Sequence, residues 1–420
     1  MELVYKFKKG IMINKAKYNC IEELSKQGAT VIIVAVTQEI EAIINACNEN
    51  GIKVDGLSDN ETRKVNKKIK GLDVIHTTQL PKKYPNARLI VAYHNIQECV
   101  DQLTSMGYED FYSPLEVLKN YDASKYQHNL SEDYIKNKVL ISVKSHEAYF
   151  DESLVHVRSL DIVITTKCSM KCESCANLMQ YYTSPQSTDE KILMAVNNLS
   201  ENVDEISEFR IIGGEPLVNK NWHKIVSGIA EQDSKRKIYI YTNGTIPVKD
   251  DVLKSFQGKN INFYVTDYGK LSRHIDRLEQ SLKDNKINYF RRPAGNWVDC
   301  SSIREHNRSP KDNAIMFKEC CAKQFYTLLS GKLYTCPFIS NAHELNAIPN
   351  NPMDYVDLTN NNNLREKIRK LVKMEKFFPG CDFCDGRPYD PTTAKVYDGK
   401  GLIAAGKQAQ SPLPFEKIED

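Results

Sequence analysis

Thr165-Thr166-Lys167-Cys168-Ser169-Met170-Lys171-Cys172-Glu173-Ser174-Cys175-Ala176-Asn177 decides how this chain reads. Cys168, Cys172 and Cys175 form a CxxxCxxC array directly behind a strand-like run at residues 160–165. Thiolates are the protein ligands of iron–sulfur centres, and a strand that delivers three of them into one short loop suits such a centre. Three ligands for a four-iron cube leave one iron open to something small that can bind and react. A zinc site or a labile redox loop is the alternative reading, although zinc usually pairs its cysteines as CxxC knuckles and completes four ligands.

The rest of the chain sets the context. Its 420 residues have room for two or three domains, each with a core. A formal net charge of +3 gives no global field toward nucleic acid or an acidic membrane. Residues 1–9 lack an apolar signal-peptide core, and no apolar run reaches membrane-spanning length. Cytoplasmic residence is therefore the expectation, with neither nucleic acid nor membrane as partner. Of the twelve cysteines, Cys20, Cys47 and Cys99 are scattered and read as small buried hydrophobes. The other nine are grouped, which in a chain without a signal peptide points to metal rather than to disulfides.

Residues 29–36 are a continuous β-branched run, the mark of a strand buried on both faces. Ile40, Ile43, Ile44 and Cys47 follow at helical spacing, and Gly51 ends that helix. Strands at 52–57 and 87–92 and a helix through Val100 and Leu103 continue the alternation. Residues 1–125 read as a doubly wound α/β domain. The turn after its first strand, Thr37-Gln38-Glu39, has no GxGxxG, so a dinucleotide is not expected. The basic run Arg63, Lys64, Lys67, Lys68, Lys70 reads as a solvated face, with the phosphates of a nucleotide sugar as the sharper alternative. Residues 51–60 resemble the Rossmann-like modules of sugar-modifying enzymes. Residues 126–155, polar and irregular, read as a linker.

From 156 to 310 strands alternate with helices: strands at 160–165, 208–212, 237–242, 261–266 and 287–290, helices at 191–199, 222–230 and 271–282. Periodicity alone leaves a parallel barrel and an open parallel sheet equally possible. The cysteine array followed by Gly213-Gly214-Glu215-Pro216 resembles the radical S-adenosylmethionine (radical SAM) superfamily. That resemblance implies a partial (β/α)6 TIM-like barrel with an active face on the loops after the strands. It implies that Cys168, Cys172 and Cys175 hold a 4Fe–4S cluster and that Gly213, Gly214, Glu215 and Pro216 meet the amino group of S-adenosylmethionine, with Glu215 as acceptor. Thr242 and Asn243 resemble the segment that holds its methionine or ribose part; alone, Asn243-Gly244 is an ordinary tight turn. An aromatic usually precedes the third cysteine, and here it is Ser174. By the same strand-to-loop logic Asp267 and Tyr268 are candidate catalytic residues. Arg291, Trp297, Asp299 and Cys300 are further candidates for the mouth, with caps, turns and packing as their plain alternatives. His223, at a helix start, shows no partner in sequence.

Residues 311–420 read as a small cluster domain. The adjacent Cys320 and Cys321, residues 324–329, Ser330-Gly331, residues 332–334 and Cys336 make a β-hairpin with cysteines near both ends. Cys381 and Cys384 form a CxxC after a helix at 364–374. The spacing of Cys321, Gly331 and Cys336 resembles the opening of the SPASM domain. The later cysteines of its full form are missing, so the resemblance is to the shortened twitch form. That form implies a second, auxiliary 4Fe–4S cluster on Cys321, Cys336, Cys381 and Cys384, with Cys320 as the alternative to Cys321. A four-cysteine structural zinc is the other reading. Residues 401–420 read as a loose or surface-running tail.

Taken together these resemblances imply an oxidoreductase that removes hydrogen from a sugar, nucleotide sugar or similar small molecule by means of a 5′-deoxyadenosyl radical. The auxiliary cluster would accept an electron, and an external donor such as flavodoxin or ferredoxin would supply the first one. A maturase modifying a peptide or protein, and a radical SAM epimerase, are the alternatives in the same family. A non-catalytic iron–sulfur or zinc scaffold is the alternative outside it.

Overall fold

The computed structural model describes residues 15–127, 131–184, 191–374, 376–388, 401–409 and 412–415. The chain divides into two compact units, Met1–Ser153 and Leu154–Asp420.

In the first unit, six strands lie in the order Lys68–Ile69, Leu72–His76, Gly56–Asp59, Val31–Val34, Arg88–Val91, Phe111–Tyr112. All pairings are parallel except that of the two outermost strands at the Lys68–Ile69 edge. Alternation along Val31–Val34 explains why its run is continuously apolar. Val31 and Ile33 pack in one core with Ile43, Ile44 and Cys47 of the helix Ile40–Glu49. Ile32 and Val34 point the other way, into a core with Cys99, Val100 and Leu103 of the helix Ile96–Ser105. A strand covered by a helix on each face has no polar side to show.

Two expectations change here. The strand expected at 52–57 is Gly56–Asp59, with Ile52 and Val54 buried ahead of it. The stretch expected to be irregular contains the 19-residue helix Glu132–Phe150. Ser131 caps it, its side chain accepting the Tyr134 N–H, and Glu132 and Asp133 sit in the first turn. Ile135 and Val139, one turn apart, bury it against the first core. The basic run is largely paired within the unit: Arg63 with Glu61, Lys64 with Asp59 and Glu61, Lys68 with Asp73.

The second unit is built on one eight-stranded sheet. Five parallel strands run Tyr289–Pro293, Ile261–Asp267, Lys237–Thr242, Glu208–Ile212, Leu160–Val163. On the far side of Leu160–Val163 comes Thr327–Leu329, parallel to it, and then Lys332–Tyr334 and Tyr355–Asp357, each antiparallel to the strand before it. The hairpin expected in a separate cluster domain is thus continuous with the sheet that carries the first cysteine loop. The helices Ile192–Glu201, Trp222–Gln232 and Ile275–Asp284 bury their apolar faces in the same core as Ile162, Phe209, Ile240 and Phe263. Because the five strands are parallel, the loops after Val163, Ile212, Thr242 and Asp267 all leave one edge of the sheet, where open α/β sheets carry their ligands.

The tail, expected to be loose or surface-running, runs exposed at Leu402 yet is paired rather than loose. Leu402–Ala404 pairs antiparallel with Asn296–Val298, Trp297 standing opposite Ile403. Backbone pairing holds this segment although it adds little to any core. Among the described residues no helix is long and apolar enough to cross a membrane.

Candidate functional site

The first cysteine loop leaves the sheet after Val163 and is fastened at once to its neighbour. The Thr165 carbonyl accepts from the Gly214 N–H at 3.0 Å, and the Lys167 carbonyl from the Glu215 N–H at 2.9 Å. The approach is close enough to demand glycine. A methyl carbon on Gly213 would collide with the Thr165 carbonyl oxygen, and one on Gly214 with the Lys167 carbonyl and, at 2.7 Å, with the Cys168 Cβ. Asn177, at the loop's end, donates to the Gly213 carbonyl at 2.8 Å. The paired glycines therefore have a local cause: they let two backbones touch.

Glu215 ties this pair of loops to the next strand. Its carboxylate accepts from Thr242 Oγ1 at 2.8 Å, from the Asn243 N–H at 2.8 Å and from the Leu217 N–H at 3.2 Å. It is buried, and burial pushes its pKa up to about 7 despite those donors. Three donors fill most of what a carboxylate accepts, and one position stays open for a further donor. Asn243 extends the network back to the cysteine loop: its Nδ2 donates to Ser169 Oγ at 3.1 Å, and Ser169 and Thr245 share a 2.6 Å hydrogen bond. Cys168, Cys172 and Cys175 interact electrostatically with one another. As free thiols all three are pushed up by burial, Cys172 to about 11. Backbone N–H groups already point at the sulfurs, that of Met170 at Cys168 Sγ among them, at 3.4 Å. Three thiols on one loop, Cys172 buried and Cys168 and Cys175 half-buried, with amides aimed at sulfur, fit an iron–sulfur centre, whose properties depend on such hydrogen bonds.

Tyr268 stands close to the triplet and to Glu215, whose charges act on it, and its ring meets Trp297 edge-on at 6.0 Å between centroids. Asp267 is placed otherwise. Oδ2 accepts from Arg291 Nε and Nη2 at 3.1 and 2.7 Å, and Oδ1 from the Gly269 N–H at 2.8 Å. Those bonds hold it below the usual carboxylate range and leave it a poor proton acceptor. Arg291 also reaches Asp276 and Glu279, so the pair belongs to a surface network. Ser174 has a left-handed backbone (φ 55°) and its hydroxyl bonds Asp299. His223 sits in the first turn of Trp222–Gln232, edge-on to Trp222 at 6.0 Å.

The tail segment lies across the cysteine loop. The Glu173 N–H donates to the Lys407 carbonyl at 2.7 Å, and the Ala409 N–H to the Lys171 carbonyl at 2.6 Å. Gln408 accepts from the Lys171 N–H at 2.9 Å and donates from Nε2 to Cys172 Sγ at 3.3 Å. Gly406 packs against the Tyr268 ring, leaving no room for a side chain. Nothing in the tail's composition signals this role.

The second group of cysteines gathers beyond the hairpin. Cys320 is among the main electrostatic neighbours of Cys336, of Cys381 and of Cys384. Cys321 feels chiefly Cys320, Arg387 and Cys300, and its N–H donates to the Arg387 carbonyl at 2.7 Å. Here too backbone amides point at sulfur: Ile339 at Cys336 (3.5 Å), Phe378 at Cys381 (3.4 Å), Gly386 at Cys384 (3.4 Å). Cys300, buried, borders the group. Asp382, inside the CxxC, accepts from the Asn307 and Arg308 N–H groups at 3.0 and 2.9 Å and from Asn313 at 3.1 Å, which binds residues 307–313 over the knuckle. Among the described residues no three His, Cys, Asp or Glu side chains are grouped as a single metal ion requires. Cys381 and Cys384 are buried and Cys320 and Cys336 half-buried, and amides are aimed at three of these four sulfurs.

Residues 162–268 match the family described as the radical SAM superfamily. A GTP 3′,8-cyclase from Syntrophomonas wolfei is 25% identical over 146 residues, which are 30% of this chain and 43% of that protein. A GTP 3′,8-cyclase from Clostridium acetobutylicum is 26% identical over 150 residues, 31% of this chain and 46% of that protein. The chain thus spans less than half the length of the curated relatives it matches. Among solved structures, BtrN in complex with AdoMet and 2-DOIA is 17% identical at a TM-score of 0.35, over 54% of this chain and 92% of that one. The anSMEcpe structure with bound AdoMet is 12% identical at a TM-score of 0.36, over 53% and 83%. At those TM-scores neither likeness bears on what this chain binds.

Proposed function

We propose, from the match of residues 162–268 to the radical SAM superfamily, that this chain is an iron–sulfur enzyme that oxidises a sugar, nucleotide sugar or similar small molecule by a radical route. The observation that carries the reading is Glu215, whose carboxylate joins the loop behind the cysteine triplet to Thr242 and Asn243. When bound, a 4Fe–4S cluster with S-adenosylmethionine supplies a 5′-deoxyadenosyl radical that takes a hydrogen atom from an unactivated carbon. The chain's own part is to hold and to exclude. Cys168, Cys172 and Cys175 ligate; Gly213, Gly214 and Pro216 shape the backbone against them. Glu215 offers its open acceptor position to the amine, and Thr242 and Asn243 fix Glu215. Tyr268, Trp297 and the tail around Gly406 wall the site, which keeps stray hydrogen donors and water away.

The second thiol group gives the reaction its direction. With four cysteines as ligands, the auxiliary centre has no place for substrate and can only take an electron. Cys320, Cys336, Cys381 and Cys384 are the set we assign, because Cys320 acts electrostatically on each of the other three while Cys321 feels chiefly Cys320, Arg387 and Cys300. In oxidation of an alcohol to a ketone, one hydrogen atom would pass to the 5′-deoxyadenosyl radical, giving 5′-deoxyadenosine. A cluster held by the second cysteine group would supply the acceptor for the remaining electron, and the hydroxyl proton would leave to a base. Asp267, bound by Arg291, serves position rather than proton transfer. The α/β unit in front, with helices on both faces of a parallel sheet, supports a small-molecule substrate over a peptide. Its Rossmann-like character is part of the proposal, as is the partial-barrel form of the core.

Turnover of the reconstituted full chain with S-adenosylmethionine and reductant tests the reading. Formation of 5′-deoxyadenosine together with a two-dalton loss in a sugar or nucleotide-sugar pool is expected. Solvent deuterium in the product without mass loss would replace oxidation by epimerisation. No 5′-deoxyadenosine from a cluster-replete protein would overturn the enzyme reading.

A further inference from the structure

Arg387 lies three positions after Cys384 and is only 8% exposed. Its backbone belongs to the second cysteine group: its carbonyl accepts the Cys321 N–H, and its neighbour Pro388 bridges to Cys320. Its side chain runs the other way. Nη2 donates to Ser301 Oγ at 3.2 Å and reaches the carbonyl of Ala176, the residue after Cys175, at 3.5 Å. One side chain thus spans from the auxiliary cysteines to the first cysteine loop.

Among the described residues no carboxylate forms an ion pair with Arg387, and its buried Nε has no hydrogen-bond partner. An unpaired guanidinium in a protein interior is costly unless negative charge stands beside it. The groups that act on it are sulfurs: Cys300, Cys384, Cys321 and Cys336 from one side, and Cys175, on which it acts in turn, from the other. Neutral thiols would leave the charge uncompensated. Of these, Cys384 and Cys336 belong to the assigned ligand set, and as thiolates bound to an iron–sulfur centre they would compensate it.

We propose that Arg387 is the counter-ion of the second cysteine group and a positioning residue that fixes this group against the Cys168–Cys175 loop. Positive charge next to a cluster stabilises its reduced form, so Arg387 raises the reduction potential of the auxiliary centre and favours its taking an electron. This rests on the reading that the second group holds an iron–sulfur centre.

The test is an EPR-monitored redox titration of the reconstituted full chain, with iron counted in each sample. Arg387→Met keeps the length of the side chain and removes its charge. At unchanged iron content its auxiliary signal should titrate at a more negative potential than in the unsubstituted protein. The first centre, touched through one carbonyl, should move less. Arg387→Lys, which keeps the charge, should restore most of the shift. Should Arg387→Met fail to fold, Ser301→Ala takes away one of the two oxygens that aim the guanidinium and should move the same signal in the same direction by less. An unchanged auxiliary potential in a variant that keeps its iron would overturn the proposal. A single four-iron signal in the unsubstituted protein would overturn the reading beneath it, and the proposal with it.

Discussion

Glu215 is a buried carboxylate with three donors around it, and burial still wins, lifting its pKa from 4.5 to about 7. Between those values the folded protein binds a proton that the unfolded chain does not. Stability is therefore fully present below about pH 4.5 and falls as pH rises through 7, by up to roughly 3 kcal/mol. Urea unfolding of the cluster-free protein at pH 5 and pH 8 measures this difference, and Glu215→Gln should flatten it. An amine cation at the open acceptor position would reverse the preference, so S-adenosylmethionine should bind more weakly to Glu215→Gln. Gly214→Ala tests the backbone contact beside it. Overpacking of this kind costs about 1–3 kcal/mol, and here the strain falls on Cys168. Iron in the reconstituted variant should drop from about eight to about four atoms per chain. The adjacent cysteines separate in the same assay: Cys320→Ala should lose about four irons and Cys321→Ala should keep about eight.

At the scale of elements, the tail segment 401–409 and the first cysteine loop hold each other through backbone bonds and Gln408. Cys172, 7% exposed, is shielded partly by this segment. Ending the chain at residue 400 should raise the rate at which a thiol reagent modifies Cys172 in the cluster-free protein by ~10-fold or more, at the low end of local-opening energies; peptide mapping would locate the modified thiol. An unchanged rate would mean that the strap does not cover the loop. Such a strap is hard to read from sequence because strand pairing uses backbone groups that every residue has. Gly401 and Gly406 look like linker glycines until Gly406 is seen against Tyr268. The parallel strands were legible for the opposite reason: a strand buried on both faces, such as Val31–Val34, has little choice but apolar residues. The helix Glu132–Phe150 was masked because its buried positions include Asn137, Ser142 and His146, which break the apolar stripe. The choice between Cys320 and Cys321 was open for a third reason. Both satisfy the spacing, and spacing carries no side-chain direction.

The whole molecule divides its tasks between two units. Every cysteine of both groups, all five parallel strands behind the first loop and the tail lie in Leu154–Asp420. The first unit contributes Cys20, Cys47 and Cys99, all buried in its own cores, and burial pushes their pKa values up and leaves them inert. On the proposed reading, residues 154–420 alone should suffice for radical generation. A chain of residues 154–420, with its own core, should reconstitute with the same iron content as the full chain. It should still cleave S-adenosylmethionine slowly to 5′-deoxyadenosine. If the parallel sheet of the first unit holds part of a nucleotide sugar, the same fragment should lose the acceleration that substrate gives and form no oxidised product. A fragment that oxidises substrate at the full rate would place all recognition at the edge of the second sheet, around Tyr268 and Trp297. A fragment that folds but takes up no iron would refute the division of labour itself.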